Sequence, residues 1–173
     1  TPRFKYGITL DAAWKGFDFS IFMQGIGKRD LWLDGCYFWG ANGQGNEWQS
    51  TGFTEHWDFF RPEGDPLGAN LNSYYPRVNF SGGRNTKIQT RYLQNGAYLR
   101  LKNVQLGYTL PRVWTEKAGI SSVRVYVSGD NLATITSLSK IFDPEATGSL
   151  AGTGSGKLYP LQRVISVGVN VNF

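Results

Sequence analysis

Hydrophobic and polar residues alternate with a period of two along five stretches of the chain. In the last stretch, VISVGVNVNF, apolar residues at 165, 167, 169, 171 and 173 are separated by small or polar residues. Successive side chains of a β-strand point to opposite faces, so each stretch predicts a strand with one apolar and one polar face. The predicted strands cover about 3–13, 16–28, 97–110, 122–136 and 161–173.

The predicted strands are longer than the usual length of about five or six residues. Their connections alternate between short and long. Strands of about 9–11 residues with one apolar face suit a tilted crossing of a bilayer, although strands of a soluble β-sandwich also alternate. The short connections lie at 13–16 and 111–121, and the long ones at 29–95 and 138–160. Short turns at one rim and long loops at the other are typical of bacterial outer-membrane barrels. We therefore predict an all-β fold, namely five C-terminal antiparallel strands of a transmembrane β-barrel, with extracellular loops at 29–95 and 138–160.

The composition narrows the chemistry that the chain can support. Aromatic residues make up 15% and charged residues 18%, below the roughly 25% charged residues of a typical soluble domain. The single cysteine, Cys36, excludes an intrachain disulfide, and the single histidine, His56, excludes a histidine-rich metal site. No apolar run approaches the roughly 18 residues of a membrane helix, and no signal peptide is expected. The net charge of +5 permits nucleic acid or anionic lipid as a partner, but the alternating strand faces argue against nucleic acid.

The sequence motifs predict no catalytic residue, no metal ligand and no cofactor. The tetrapeptide EHWD at 55–58 places two carboxylates beside the only histidine. A site requires convergence in space, so we interpret this segment as a polar loop. The stretch AGTGSGKL at 151–158 lacks the first glycine and the final Ser or Thr of a phosphate-binding loop. The chain is therefore predicted not to be an enzyme, and a glycoside-hydrolase activity would rest only on scattered acidic residues.

The last strand carries the residue spacing of an outer-membrane protein C-terminus. A polar residue, a glycine, an apolar residue and an aromatic residue follow at fixed intervals, as Ser166, Gly168, Val171 and Phe173. We interpret these four residues as an assembly signal, since such a strand offers an insertion machine an edge to pair with and ends in the interfacial aromatic belt. Three more aromatic residues on apolar faces are predicted at the same rim: Trp14, Phe17 and Tyr108.

Five segments, taken in order, resemble the C-terminal end of SusC-like TonB-dependent outer-membrane transporters. They read PRFKYGITLDAAWKGFDFSIFMQGIGKRD (2–30), NGAYLRLKNVQLGYTLP (95–111), VRVYVSGDNLATIT (123–136), FDPEATG (142–148) and YPLQRVISVGVNVNF (159–173). The resemblance covers most of the chain and is weakest over residues 31–90.

The resemblance implies a 22-stranded barrel of the bacterial outer membrane with an N-terminal plug. Such a protein imports oligosaccharides or peptides, is powered through TonB, and works beneath a SusD-like surface lipoprotein. Five strands cannot close a barrel, since about eight is the smallest known number, so the chain is expected to be the last part of a larger protein. The expected partners are the lipoprotein, the substrate, outer-membrane lipid and lipopolysaccharide, and TonB through the absent N-terminal part.

The long loop at 29–95 is rich in aromatic residues, among them Trp32, Trp39, Trp48 and Trp57. Flat aromatic faces beside Asn, Gln and Asp often hold sugars, and they equally pack on each other or on a protein lid. We predict that these four residues contact ligand or lid, with self-packing of the loop as the alternative. If the chain were a soluble β-sandwich, the same aromatics would serve a carbohydrate-binding module, and dependence on detergent separates the two functions.

Overall fold

The computed structural model describes residues 2–41, 52–79, 83–146 and 158–173. Seven strands lie in these ranges: β1 (Lys5–Trp14), β2 (Phe17–Ile26), β3 (Asp30–Leu31), β4 (Gln94–Asn95), β5 (Tyr98–Thr109), β6 (Ser122–Thr136) and β7 (Val164–Asn172). The described helical elements are α1 (Cys36–Trp39), α2 (Arg112–Thr115) and the 3-10 turns Thr54–Trp57, Thr90–Tyr92 and Glu116–Ala118. None of the described helices is long and apolar enough to cross a membrane.

The chain divides into two compact units. The first comprises Thr1–Arg29, Asn95–Ser137 and Leu161–Phe173, and the second comprises Asp30–Gln94 and Leu138–Pro160. The first unit contains the five long strands in the order β1-β2-β5-β6-β7, each antiparallel to its neighbours. These strands begin and end within a few residues of the predicted ranges, and the predicted fold class of five antiparallel strands is confirmed. A separate two-stranded sheet is formed by β3 and β4.

The register of the large sheet keeps apolar side chains on one face across all five strands. Along one row, Val169 of β7 lies opposite Val125, Val125 opposite Tyr108, Tyr108 opposite Phe17, and Phe17 opposite Trp14. The ends of this row are exposed, with Trp14 at 70% and Val169 at 58%, as a lipid-facing surface requires. The opposite face carries polar residues: Asp18, Ser20, Asn103, Gln105, Arg124, Ser128, Ser166 and Asn170.

Two β-bulges at one level of the sheet interrupt the alternation. The register between β5 and β6 shifts between Leu101 and Asn103, and the register between β2 and β5 shifts at the same place. Lys102 is therefore the extra residue of β5, and Asn131, with a φ of 52°, lies in the corresponding bulge of β6. Because of this extra residue, the apolar face of β5 is formed by even-numbered residues after Lys102 and by odd-numbered residues before it. Leu101 therefore lies on the apolar face.

The short connections are closed by residues with positive φ. Lys15 and Gly16, with φ of 46° and 86°, join β1 to β2. Positive φ at both central positions defines a type I′ hairpin turn, whose twist matches that of the flanking strands. A Cβ on Gly16 would lie 2.9 Å from the carbonyl oxygen of Thr109, so the position also requires the absence of a side chain. The connection between β5 and β6 holds α2 and one 3-10 turn.

A row of linked side chains crosses four strands on the polar face. Arg124 of β6 forms an ion pair with Asp18 of β2, and its Nε donates to the Asp18 carboxylate at 2.8 Å. The pair crosses β5 above Gly107, where a Cβ would collide with both partners. The Arg124 guanidinium lies 5.1 Å from the ring centre of Tyr126, and this ring covers Gly168 of β7, where a Cβ would also collide. Packing against β6 therefore requires a glycine at 168.

The second unit has a hydrophobic core of its own. The core consists of Leu33, Phe38, Trp39, Tyr75, Tyr92, Leu138 and Phe142, of which the first three are at most 1% exposed. Leu138 and Phe142 come from the second long connection, so both long connections contribute to one core. The lack of a period-two pattern over these residues thus reflects irregular backbone folded around an aromatic core.

Candidate functional site, an aromatic cavity in the long loop

A cavity of about 460 Å³ lies in the second unit. It is lined by the end of α1, by the 3-10 turn Thr54–Trp57 and by the segment 75–78. Half of the described lining residues are aromatic: Trp39, Phe53, Trp57, Phe59 and Tyr75. Thr54, His56 and Val78 also contribute to the lining. Small-molecule sites are usually concave and apolar, with a few polar groups and volumes of about 300–1,000 Å³, so this cavity is the candidate site.

His56 ties two sides of the cavity together. Its Nδ1 accepts the backbone N–H of Phe53 at 3.0 Å, so the ring proton lies on Nε2, which donates to the carbonyl of Phe38 at 3.1 Å. The backbone at Gly40, with a φ of 59°, approaches so closely that a Cβ there would lie 2.9 Å from Nδ1. Burial lowers the pKa of His56 below its ordinary value of 6.5, because the charged imidazolium would lose solvent. His56 is therefore a neutral bridge between two segments of the loop.

Trp57, Phe59 and Arg61 form a stacked surface beside the cavity, which we call the platform. The rings of Trp57 and Phe59 are 6.2 Å apart at an angle of 15°, and the Arg61 guanidinium lies 4.8 Å from the Phe59 ring centre. Arg61 is held in place because its Nε donates to the carbonyl of Gly68 at 2.7 Å and its Nη1 to that of Trp57 at 2.9 Å. Trp57 is 59% exposed, so the platform offers a ligand an indole that is already immobilised.

The acidic side chains near the cavity are engaged within the protein. Asp58 accepts a hydrogen bond from Asn70 Nδ2 at 2.9 Å and another from the backbone N–H of Tyr74 at 3.0 Å. Glu55 accepts one from the Ser139 hydroxyl at 2.6 Å and one from the next backbone N–H at 3.2 Å. The EHWD segment thus ties the loop together. Within the described ranges, no group of three or more His, Cys, Asp or Glu could hold a metal ion.

Two buried aromatic residues of the lining carry polar atoms. Tyr75 is 4% exposed, and burial raises its pKa far above the ordinary 10.0, so its phenol is neutral at physiological pH. Trp39 is 1% exposed, and its indole N–H has no hydrogen-bond partner among the described residues. The described side chains of the lining are therefore uncharged, which suits an apolar group, and the Trp39 N–H offers one donor to an acceptor atom of a ligand.

The four predicted tryptophans occupy different environments. Trp57 lies on the cavity and is exposed, whereas Trp39 lines the cavity from within the core. Trp32 is half-buried and packs on Trp39 with ring centres 5.9 Å apart, while Trp48 lies outside the described residues. The structure thus shows Trp32 and Trp39 packing within the loop, and contact of these tryptophans with ligand or lid stays a prediction.

Most of the described lining was not predicted from the sequence to form a site. The residues missed are Ala41, Gly52, Phe53, Thr54, His56, Phe59, Tyr75 and Val78. Irregular backbone brings them together from separate segments, and no periodicity relates their positions. The aromatic density of the loop is the only signal in the sequence that points to them.

The predicted assembly signal lies at the end of β7. Ser166 faces Ser128, Gly168 faces Tyr126, Val171 faces Val123, and Phe173 follows the strand at 90% exposure. Gly168 has the packing role described above, and the role of the four residues in assembly stays a prediction.

Comparison with known proteins gives matches along the whole chain. TonB-dependent receptor P3 of Formosa agariphila is 32% identical over 183 residues, which cover 100% of this chain and 16% of the relative. TonB-dependent receptor P26 of the same organism is 28% identical over 182 residues, which cover 99% of this chain and 17% of the relative. No family model matches. The chain therefore spans only a small part of the length of the curated relatives that it matches.

Solved structures of RagAB have the same fold over 100% of this chain and 17% of their own. The closed-closed state of the RagAB peptide importer is 27% identical with a TM-score of 0.74, and the RagAB peptide transporter is 26% identical with a TM-score of 0.75. The matched relatives are receptors and transporters rather than enzymes. Sequence and fold thus agree along the whole chain, and its predicted resemblance to part of the barrel of SusC-like TonB-dependent receptors is confirmed.

Proposed function

We propose that this chain is part of an outer-membrane, TonB-dependent importer of oligosaccharides or peptides that works with a SusD-like surface lipoprotein. The matches to TonB-dependent receptors and to a peptide importer support import. TonB would act through a part of the protein that this chain does not contain. Outer-membrane lipid and lipopolysaccharide would contact the apolar face of the sheet.

The observation that carries the proposal is the two-faced register of the large sheet. Apolar residues form a continuous surface across β1, β2, β5, β6 and β7, while the other face is polar. A wall with lipid on one side and a hydrated lumen on the other has this arrangement. Within the described residues β1 and β7 each pair on one side only, and in hydrocarbon their free edges would need further strands.

Surface labelling of intact cells tests the proposed orientation. The full-length protein first carries Cys36→Ser, which removes the cysteine of this chain. A single cysteine then replaces either Leu71 of the long loop, which is 54% exposed, or Lys117 of the short connection. We expect a membrane-impermeant maleimide to label the first position in cells that lack the lipoprotein, and the second only after lysis. The reverse pattern would place the long loop in the periplasm and contradict the proposal.

Uptake measurements test the proposed activity. Cells that carry the full-length gene should take up peptides or oligosaccharides, and deletion of tonB should abolish this uptake. Deletion of the gene for the proposed SusD-like partner should lower it strongly, because the lid would no longer hold the substrate. Uptake that is independent of tonB would contradict the proposal.

A further inference from the structure

We infer that the aromatic cavity binds an apolar or aromatic side chain of an incoming peptide. This inference rests on the proposed import function and narrows its substrate class from oligosaccharides or peptides to peptides. It also gives the long loop a direct part in substrate recognition.

The size and rigidity of the cavity suit a bulky side chain. Its volume of about 460 Å³ exceeds the roughly 150 Å³ of a cavity that holds benzene, so even the largest side chain has room to enter. The platform is stacked and held by the hydrogen bonds of Arg61, and His56 joins the backbone of Phe53 to that of Phe38. A preorganised site loses little side-chain entropy when a ligand enters. Trp57 and Val78, at 59% and 45% exposure, give a ligand access to the lining.

The polar groups around the cavity argue against a sugar as its occupant. Sugar hydroxyls need acceptors and donors along the aromatic face that they cover. The described residues of the lining include no carboxylate and no side-chain amide, and both ring nitrogens of His56 are paired. Burial of hydroxyls without partners would weaken binding, whereas burial of an apolar side chain strengthens it in proportion to its area.

The chemistry of the lining also disfavours charged side chains. In the described part of the lining, every ionisable side chain is neutral: His56 because burial lowers its pKa, and Tyr75 because burial raises its pKa. A charge transferred into such a lining loses hydration, and Arg61, the cation beside the Phe59 ring, already donates to two backbone carbonyls. Phe, Leu, Ile, Met and Trp are therefore the side chains that this cavity should select.

Binding to the purified full-length receptor, in detergent and without the lipoprotein, tests the inference. The probes are the peptides Ala-Ala-Phe-Ala-Ala and Ala-Ala-Ser-Ala-Ala and the sugar maltopentaose, measured by isothermal titration calorimetry. We expect the Phe peptide to bind at least about tenfold more tightly than the Ser peptide, since a buried aromatic side chain contributes that much. Equal affinities for the two peptides, or tighter binding of maltopentaose, would overturn the inference.

A pair of matched variants assigns the preference to the cavity. Val78→Arg places a charge in the lining, whereas Leu71→Arg makes the same change at an exposed residue of the same unit that does not line the cavity. The first variant should abolish the Phe/Ser preference, and the second should retain it. Trp57→Ala, which introduces no charge, should also reduce the preference and serves if Val78→Arg fails to fold. Retention of the preference in Trp57→Ala and in folded Val78→Arg would overturn the inference.

Three further outcomes separate this inference from the proposed function. If Val78→Arg abolishes association with the lipoprotein but leaves the peptide preference unchanged, the cavity holds a side chain of the lid, and the inference is wrong. If tonB-dependent uptake of peptides persists in cells while neither Val78→Arg nor Trp57→Ala changes the peptide preference, the import function stands and only the assignment of the cavity is wrong. If the wild-type protein supports no tonB-dependent uptake, the proposed function itself is wrong.

Discussion

Arginine in place of Val169 in the full-length protein would put a charge on the apolar face of β7. Val169 lies opposite Val125 and is 58% exposed in the chain, so its side chain would contact lipid. It is four residues from Phe173, or about 13 Å along the strand at roughly 3.3 Å per residue. With a tilt of about 40° the height above the aromatic rim is about 10 Å, close to half of the ~25 Å apolar band.

A residue at this depth should be highly sensitive to charge. Arg near the midplane of a barrel costs about 2–4 kcal/mol, which shifts the folding equilibrium by roughly 30- to 700-fold. The matched control is Ser166→Arg, which lies on the polar face opposite Ser128 and should cost no more than about 0.5 kcal/mol. Asn170 would be a poorer control, because it lies opposite Arg124 and a second arginine there would repel the first.

Urea titration of the receptor refolded in lipid vesicles measures both variants. Folded barrel is distinguished from unfolded chain by its faster migration in unheated gels, and the midpoint and slope give the free energy of unfolding. A cost that is equal at 166 and 169, or larger at 166, would refute the assignment of the two faces.

Three further changes test other parts of the molecule. Gly168→Val should cost about 1–3 kcal/mol because its side chain collides with Tyr126, and a second substitution, Tyr126→Ala, should recover part of the folded yield. Deletion of Phe173, which is 90% exposed, should lower the amount of inserted receptor several-fold, while uptake per inserted molecule stays unchanged. As the pH falls below 6.5, protonation of His56 should destabilise the loop, and hydrogen exchange at the Phe53 amide should accelerate.

The sign of the pH effect follows from the lowered pKa. Below the ordinary value of 6.5 the unfolded chain binds a proton that folded His56 resists, so stability is lost until the lowered folded pKa is passed. A His56→Gln variant should show no such dependence in this window. Three results would contradict the remaining predictions. The double variant at 168 and 126 would show no recovery of folded yield, or the receptor without Phe173 would reach normal abundance. For His56, hydrogen exchange at the Phe53 amide would not change with pH in this range.

The sheet was predictable because every position of a strand is subject to the same constraint. One face meets an apolar medium and the other a polar one, so alternation at 165–171 is enough to assign both. The bulges were not predictable, because neither Lys102, which shifts the alternation of β5, nor Asn131 is a distinctive residue type.

The cavity could not be predicted from the sequence, for a different reason. Trp39 and Trp57 are equivalent in the sequence, yet one is 1% and the other 59% exposed. Their difference depends on which aromatic residues fill the core of the second unit, and that choice is made by tertiary packing rather than by local pattern. The segment of His56 was interpreted as a polar loop, and the pairing of His56 with the Phe38 carbonyl could not be predicted, because it needs the folded backbone.

The position of Tyr126 opposite two glycines has a consequence for the dimensions of the barrel. Alternation of faces forbids a strand slip of one residue but permits a slip of two. Such a slip would bring Ser166 or Asn170, instead of Gly168, against the Tyr126 ring, where a side chain does not fit. Strand number and stagger together determine barrel diameter. Single glycines in the wall, by fixing the stagger of neighbouring strands, therefore help to set the width of the complete channel.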